Sequence, residues 1–289
     1  MGYIKKGDVF VPEMLDQTLE GKFAGMKVMH SSGAAIFRMG MPAGKAQVGE
    51  KVIIPAFGTL GEMQDLDEDG QNLTPKKIAT TQEEAIVKHS GISLEATLWA
   101  SLSGAEDPYE EGARQMVESV ERRADQALID VAKADGSGLL TLDVYNAGVP
   151  RTIDYDLVVE GKMKWGDEQE DIAAMVIHSK VKGDMLKLKD STGRPLYVDG
   201  NDGQLDRFCG FPVLVSDRLA PTSDSPAKYT TLLLKKGSLV FWLGEYNSDE
   251  DKNILANSRM MATHIYWAAH RYKRHPNGTK CGVVRIYHN

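Results

Sequence analysis

Histidines are the side chains of this sequence best suited to acid–base or metal chemistry, and their spacing matches neither use. The seven histidines are His30, His89, His178, His264, His270, His275 and His288. The sequence contains no HExxH, and no two histidines fall four residues apart on a predicted helix. The spacing of His264, His270 and His275 fits no zinc motif, so we predict that these three lie on strand and turn surfaces. We predict no metal site.

Nucleophile motifs are equally incomplete. The pairs His178-Ser179 and Ser216-Asp217 place serine beside a base or an acid, but no GxSxG turn surrounds either serine. Cys209 has no base near it in the sequence and is predicted to be a buried, inert thiol. Cys209 and Cys281 are the only cysteines, which is too few for a disulfide framework. We therefore expect folding in a reducing compartment and no enzymatic activity.

Loops that could bind phosphate or calcium are also lacking. The glycine-rich stretches at 33–35 and 91–104 contain no GK[ST] before a helix. The acidic run Asp65, Asp67, Glu68 and Asp69 is followed by Gly70, as in a calcium loop, but the twelfth position would be Lys76 rather than glutamate. We predict a solvated acidic turn and no cofactor.

Charge limits the classes of partner. The chain has 289 residues, with 34 Lys and Arg against 41 Asp and Glu, and a net charge of −7. A protein that neutralises nucleic acid over a large surface is usually basic, so we expect any DNA contact to be weak. One basic patch stands out, formed by Arg271, Lys273 and Arg274 around Tyr272. It is interpreted as a solvated turn flank, a contact for an acidic segment of a neighbouring subunit, or a nucleic-acid contact; we expect the acidic segment.

Targeting signals are not evident. No apolar run reaches about 18 residues, so no membrane span is predicted. Lys5 and Lys6 are not followed by an apolar stretch, so no signal peptide is expected.

The first half of the chain predicts extensions followed by a long helix. Residues 1–49 are rich in glycine, with scattered apolar positions, and need another surface to lie on. Two β-rich runs within 50–88 flank the acidic turn and predict a hairpin, which alone is marginally stable in water. Apolar residues then recur with a 3.6-residue period from Pro108 to Ala134, with Asp107 as N-cap and Asp125 on the polar face.

The second half predicts an α/β unit followed by returning strands. We expect helices at 155–165 and 180–188, and strands at 172–178 and 211–216. Two hairpins are also predicted, one from 229–234 and 239–242 through Lys235-Lys236-Gly237, and a terminal one from 260–272 and 281–288.

This order of features resembles the major capsid proteins of tailed double-stranded DNA phages, which share the Hong Kong 97 fold. Local motifs agree with the resemblance: Asp107-Pro108-Tyr109 through Arg123-Ala124-Asp125, Ile172–Ser179 followed by Gly183–Leu188, Gly210–Asp217 (GFPVLVSD), and Lys228–Ser238. The resemblance spans nearly the whole chain and implies an α+β fold. Its parts would be an N-terminal arm at 1–49, an E-loop hairpin at 50–88, a P-domain with its spine helix at 89–150, an A-domain at 151–245, and a return to the P-domain at 246–289.

The resemblance implies a structural protein of the virion. It would assemble in the host cytoplasm as pentamers and hexamers of an icosahedral shell around double-stranded DNA, with a portal. The type phage carries an N-terminal scaffolding segment that is removed during maturation; here Met1 precedes the arm, so we expect either a separate scaffolding protein or a chain that has already been trimmed. We expect the E-loop tip to contact a neighbouring subunit through Asp65, Asp67, Glu68, Asp69, Lys76 and Lys77.

Three points remain open at this stage. The Lys–Asn cross-link of the type phage is not carried over to Lys76 or Lys77, because no partner Asn or catalytic Glu can be matched. An encapsulin, a cellular shell that encloses cargo protein, would share the fold. An α/β enzyme using the middle unit, with a pocket near His178 and Asp184, is the alternative from another class.

Overall fold

A computed structural model describes residues 29, 32–42, 47–58, 60–61, 63, 65, 74–97, 108–145, 151–197, 206–223 and 226–289. Within these ranges, no helix has the length and apolar character needed to cross a membrane. The helices are α1 (Pro108–Lys133), α2 (Tyr155–Met163) and α3 (Ser179–Met185). The strands are β1 (Ala35–Met39), β2 (Lys51–Phe57), β3 (Thr80–Ile86), β4 (Lys88–Thr97), β5 (Leu140–Asp143), β6 (Ile172–Ile177), β7 (Arg207–Phe208), β8 (Phe211–Val215), β9 (Tyr229–Lys235), β10 (Leu239–Asn253), β11 (Ser258–Arg271) and β12 (Val283–His288).

The strands form three sheets. A four-stranded sheet has the order β1-β10-β11-β4, and a six-stranded sheet has the order β5-β12-β9-β6-β8-β7. Strands β2 and β3 form a separate two-stranded sheet. We call the four-stranded sheet with α1 the body, and β2 with β3 the hairpin.

Both hairpins predicted for the second half are wrong. Strand β9 pairs with β12 and β6, whereas β10 pairs with β1 and β11, so the turn at Gly237 carries the chain from one sheet to the other. Strand β12 likewise leaves β11 and pairs with β5 and β9. The physical reason is that β9 pairs with β6 and β12 on its two edges, and β11 pairs with β10 and β4, so neither strand has an edge left for the predicted partner.

Helix α1 spans 26 residues, or about 39 Å. The predicted apolar stripe is buried, with Met116, Val117 and Val120 all below 5% exposed. The placement of Asp125 on the polar face was wrong, because its side chain is buried and ion-paired with Arg218. The predicted N-cap, Asp107, lies outside the described residues.

The α/β elements of the six-stranded sheet agree closely with the prediction. Asp154 caps α2 by accepting the N–H of Tyr155, and His178 caps α3 by accepting the N–H of Lys180. Strand β6 is buried on both faces beyond its first residue, as its continuous apolar run predicts. These elements enclose a second core around Trp165 and Phe211.

Candidate assembly surfaces

The hairpin presents an apolar outer face. Strands β2 and β3 pair over seven residues, and alternation places Ile53, Phe57 and Ile86 on one face, opposite the face that carries Val52 and Ala85. These three side chains are 51%, 68% and 53% exposed. On the same face, Lys51 and Glu84 form an ion pair of 2.6 Å. A two-stranded sheet with large apolar side chains in water is marginally stable by itself, so this face is suited to contact with another surface.

The inner face of the hairpin attaches it to the body. Val52, Ala85 and Val87 pack against side chains of β10 and β11, in a cluster whose other members are Val240, Trp242 and Ala268. Beside this cluster lies Glu83, which is 4% exposed. Sequence reasoning missed Glu83, although its alternation with Ala85 and Val87 was a usable signal.

Part of the predicted hairpin tip lies within the described residues. Asp65, Lys76 and Lys77 are exposed, whereas Asp67, Glu68 and Asp69 lie outside the described residues. The role of this tip in contact between subunits remains a prediction.

The predicted basic patch is not one surface. Arg271 is 8% exposed, and its guanidinium donates to the backbone oxygen of Ala134 at 2.7 Å, at the C-terminal end of α1. Arg274 donates to the Thr279 oxygen at 3.2 Å, and Lys273 is exposed. A cation is favourable at the negative end of a helix dipole, so Arg271 stabilises α1 within its own subunit. The expected contact of the patch with an acidic segment of a neighbouring subunit stays a prediction, and Lys273 is the exposed side chain of the three.

A second extension ends in exposed apolar side chains that the sequence reasoning missed. Strands β10 and β11 continue as an antiparallel pair to Asn253 and Ser258. At the turn between them, Ile254 and Leu255 are 83% and 100% exposed. Adjacent large apolar residues at a strand turn were the available signal, because turns usually carry polar or small residues.

The serine and histidine candidates make hydrogen bonds that stabilise the start of α3, and the cysteine candidate is a partly buried thiol. The Ser179 backbone N–H donates to Asp217 Oδ1 at 3.2 Å, and hydrogen bonds from Ser179 lower the pKa of Asp217. His178 Nδ1 accepts the Lys180 N–H at 3.1 Å and so caps α3, an arrangement that activates no serine. Burial raises the pKa of Cys209 to about 12, so its thiol is protonated at neutral pH.

Two of the three histidines predicted to lie on surfaces are buried. His275 is 2% exposed and bonds to the Lys236 oxygen at 2.7 Å, while His270 meets Glu83. His264 is half-buried, with its ring stacked on His89. Within the part of the chain that the structure describes, no three His, Cys, Asp or Glu side chains are grouped as metal ligands.

Comparisons with known proteins point to one class. The family model of the phage capsid family matches residues 113–234. The capsid of Ralstonia phage GP4 superposes with a TM-score of 0.67 at 12% identity, covering 92% of this chain and 90% of that one. A structure from Microbacterium phage Oxtober96 gives a TM-score of 0.60 at 15% identity, covering 99% and 95%. A search of curated proteins finds no significant match.

These structural similarities establish the fold of the chain. The chain has the α+β Hong Kong 97 capsid fold, as its resemblance to tailed-phage proteins predicted. The family match over residues 113–234 and the capsid fold both support a structural role as a phage major capsid protein. The encapsulin and enzyme alternatives are not favoured.

Proposed function

We propose that this protein assembles with copies of itself into a closed icosahedral shell of pentamers and hexamers around double-stranded DNA. Two structures of similar fold come from assembled capsids and support this proposal. They are the capsid of a native GTA particle computed with C5 symmetry, and the asymmetric unit of the mature capsid of bacteriophage PhiM1. Assembly takes place in the host cytoplasm, with a separate scaffolding protein and a portal. The five segments named from the sequence act as arm, E-loop, spine, A-domain and returning strands.

The hairpin is the principal contact between subunits in this proposal. The observation that carries it is the outer face of Ile53, Phe57 and Ile86, which are more than half exposed in the single subunit. Burying apolar area contributes about 25 cal/mol per Å², so covering three such side chains would supply several kcal/mol per contact. Many such contacts in parallel hold a shell together even where each one is weak.

The test replaces the outer face without touching the inner one. A variant with Ile53→Ser, Phe57→Ser and Ile86→Ser is expected to keep the subunit's melting temperature and to lose assembly. Met163 on α2 is 62% exposed, so Met163→Ser is a matched control that removes an exposed apolar side chain elsewhere. Normal shells from the triple variant, seen by electron microscopy, would contradict the proposal.

The shell wall is proposed to hold DNA weakly. The subunit carries a net charge of −7, and Arg271 is used inside the subunit. Repulsion screened over about 8 Å keeps duplex DNA free to move past the wall. A titration of duplex DNA against free subunits should give affinity weaker than micromolar at 150 mM salt. Submicromolar affinity with a steep salt slope, abolished in a Lys273→Gln, Arg274→Gln variant, would overturn this part.

A further inference from the structure

Glu83 is a buried carboxylate on a hairpin whose other acidic side chain, Glu84, is half exposed. Its Oε2 lies 2.6 Å from His270 Nε2 on β11. Both carboxylate oxygens accept the Lys273 backbone N–H, at 3.1 and 3.2 Å. A charged group is costly to bury unless it is paired, so a carboxylate buried at this position needs these hydrogen bonds.

The bonds cross from the hairpin to the body. Glu83 belongs to the two-stranded sheet, whereas His270 belongs to β11 of the four-stranded sheet, and Lys273 follows that strand. Burial lowers the pKa of His270 below its usual value, so at neutral pH the ring is neutral and donates from Nε2 to the carboxylate. The His270 ring and the Lys273 backbone N–H thus hold both carboxylate oxygens of Glu83.

Within the described residues, the other contact between the hairpin and the body is an apolar cluster. The hairpin contributes Val52 and Ala85 to it, with Ile54 partly buried against it, and Val87 follows directly after β3. Next to it, an open groove of about 510 Å³ lies between β3, α1 and β11, and Glu84, Ala85 and Ile86 line it on the hairpin side. The apolar contact is non-directional, whereas the hydrogen bonds of Glu83 have a defined geometry.

We infer that Glu83, held by His270 and the Lys273 backbone, is a positioning residue that sets the angle of the hairpin on the body and so prepares its outer face for a neighbouring subunit. The inference rests on the proposed contact of the hairpin. Removing the carboxylate charge would leave the hairpin folded and attached by its apolar cluster, but would let its angle vary.

The experiment measures the angle in the free subunit. Spin labels at Thr80→Cys on β3 and Arg122→Cys on α1, both exposed sites, report the distance between hairpin and body. The labels are placed in a Cys209→Ala, Cys281→Ala background whose unfolding is checked first. Glu83→Gln and His270→Gln are each expected to broaden the distance distribution at least twofold. Glu84→Gln, which removes the neighbouring exposed carboxylate, is expected to leave the distribution unchanged.

Two readouts separate this inference from the proposed function. Unchanged distances in both Glu83→Gln and His270→Gln would overturn the positioning role, whatever the assembly result. Broadened distances together with normal shell yield would show that the angle does not matter for assembly, which also overturns the inference. If the proposed hairpin contact is wrong, the variant with Ile53→Ser, Phe57→Ser and Ile86→Ser will form normal shells. That result is independent of the distances between the spin labels.

Discussion

The carboxylate of Asp125 on α1 pairs with the guanidinium of Arg218, in the segment after β8. The same carboxylate accepts the Met29 N–H at 3.3 Å. One buried acid therefore connects the long helix, the segment that follows β8, and Met29 in the predicted arm. Its neighbours on the helix, Ala124 and Leu128, are fully buried, so the acid lies within the main core.

Asp125→Asn should destabilise the subunit by about 2 kcal/mol, because Arg218 loses its partner while the carboxamide stays buried. This loss is smaller than that for a fully buried pair, because the Arg218 side chain is 34% exposed and water screens its charge. Asp130→Asn is the matched control, since Asp130 is an exposed carboxylate on the same helix. Urea unfolding measures both variants, and equal stability of the two would contradict the role of the pair.

Val120→Asp should cost about 3–5 kcal/mol, because it places an unpaired charge in the core between α1 and the sheets. Val120 is 4% exposed and belongs to the largest apolar cluster. Arg122→Ala, on the exposed side of the same turn, should change stability by less than about 0.5 kcal/mol. An unchanged melting temperature for Val120→Asp would show that this face of α1 is solvated.

Stability should fall on mild acidification because of His288. Its side chain is fully buried beside Thr231, and burial lowers the pKa of His288 to about 4. The unfolded histidine has a pKa near 6.5, so between these values the unfolded chain binds more protons and folding loses free energy as the pH falls. From pH 7.5 to 5.0 the loss from this group is about 2 kcal/mol.

The pH effect is tested with His288→Asn. Urea unfolding at pH 7.5 and 5.0 should show a smaller pH dependence in the variant, by about 2 kcal/mol. The burial of His270 also lowers its pKa and acts in the same direction, but it is common to both proteins. An identical pH dependence in the two proteins would contradict the buried, neutral state of His288.

Both thiols should react slowly in the native protein. Burial raises the pKa of Cys209 to about 12 and also raises the pKa of Cys281. Because the thiolate is the reactive form, an aromatic disulfide reagent at pH 8 should modify the native subunit far more slowly than the unfolded chain. Rapid release of one equivalent from native protein would show an activated cysteine.

Elements with strong local signals were predictable from the sequence. The 3.6-residue stripe from Tyr109 to Leu128 predicts α1, since a helix of this length must bury one face. The β-rich runs around Ile53 and Ala85 predict the hairpin for a similar reason, because an alternating pattern matches a strand. In both cases the residues that fix the structure are close in the chain.

Pairing between distant strands could not be read in the same way. Strand β10 pairs in parallel with β1, some 200 residues earlier, and β12 pairs in parallel with β5. A parallel pair of this kind leaves no local turn signal, so the neighbouring strands β9 and β10 resembled a hairpin. The burial of Arg271 was not predicted, and Glu83 was missed, for the same reason. Their hydrogen-bond partners, Ala134 and Lys273, lie about 140 and 190 residues away in the chain.

Shell formation by this chain can be observed directly by electron microscopy of the purified protein. The protein is concentrated alone, and the outer-face triple variant is imaged beside it. We expect curved, repeating assemblies with five-membered and six-membered rings for the native sequence, and dispersed subunits for the variant. A native protein that stays monomeric or dimeric at every concentration would show that the chain does not build a shell.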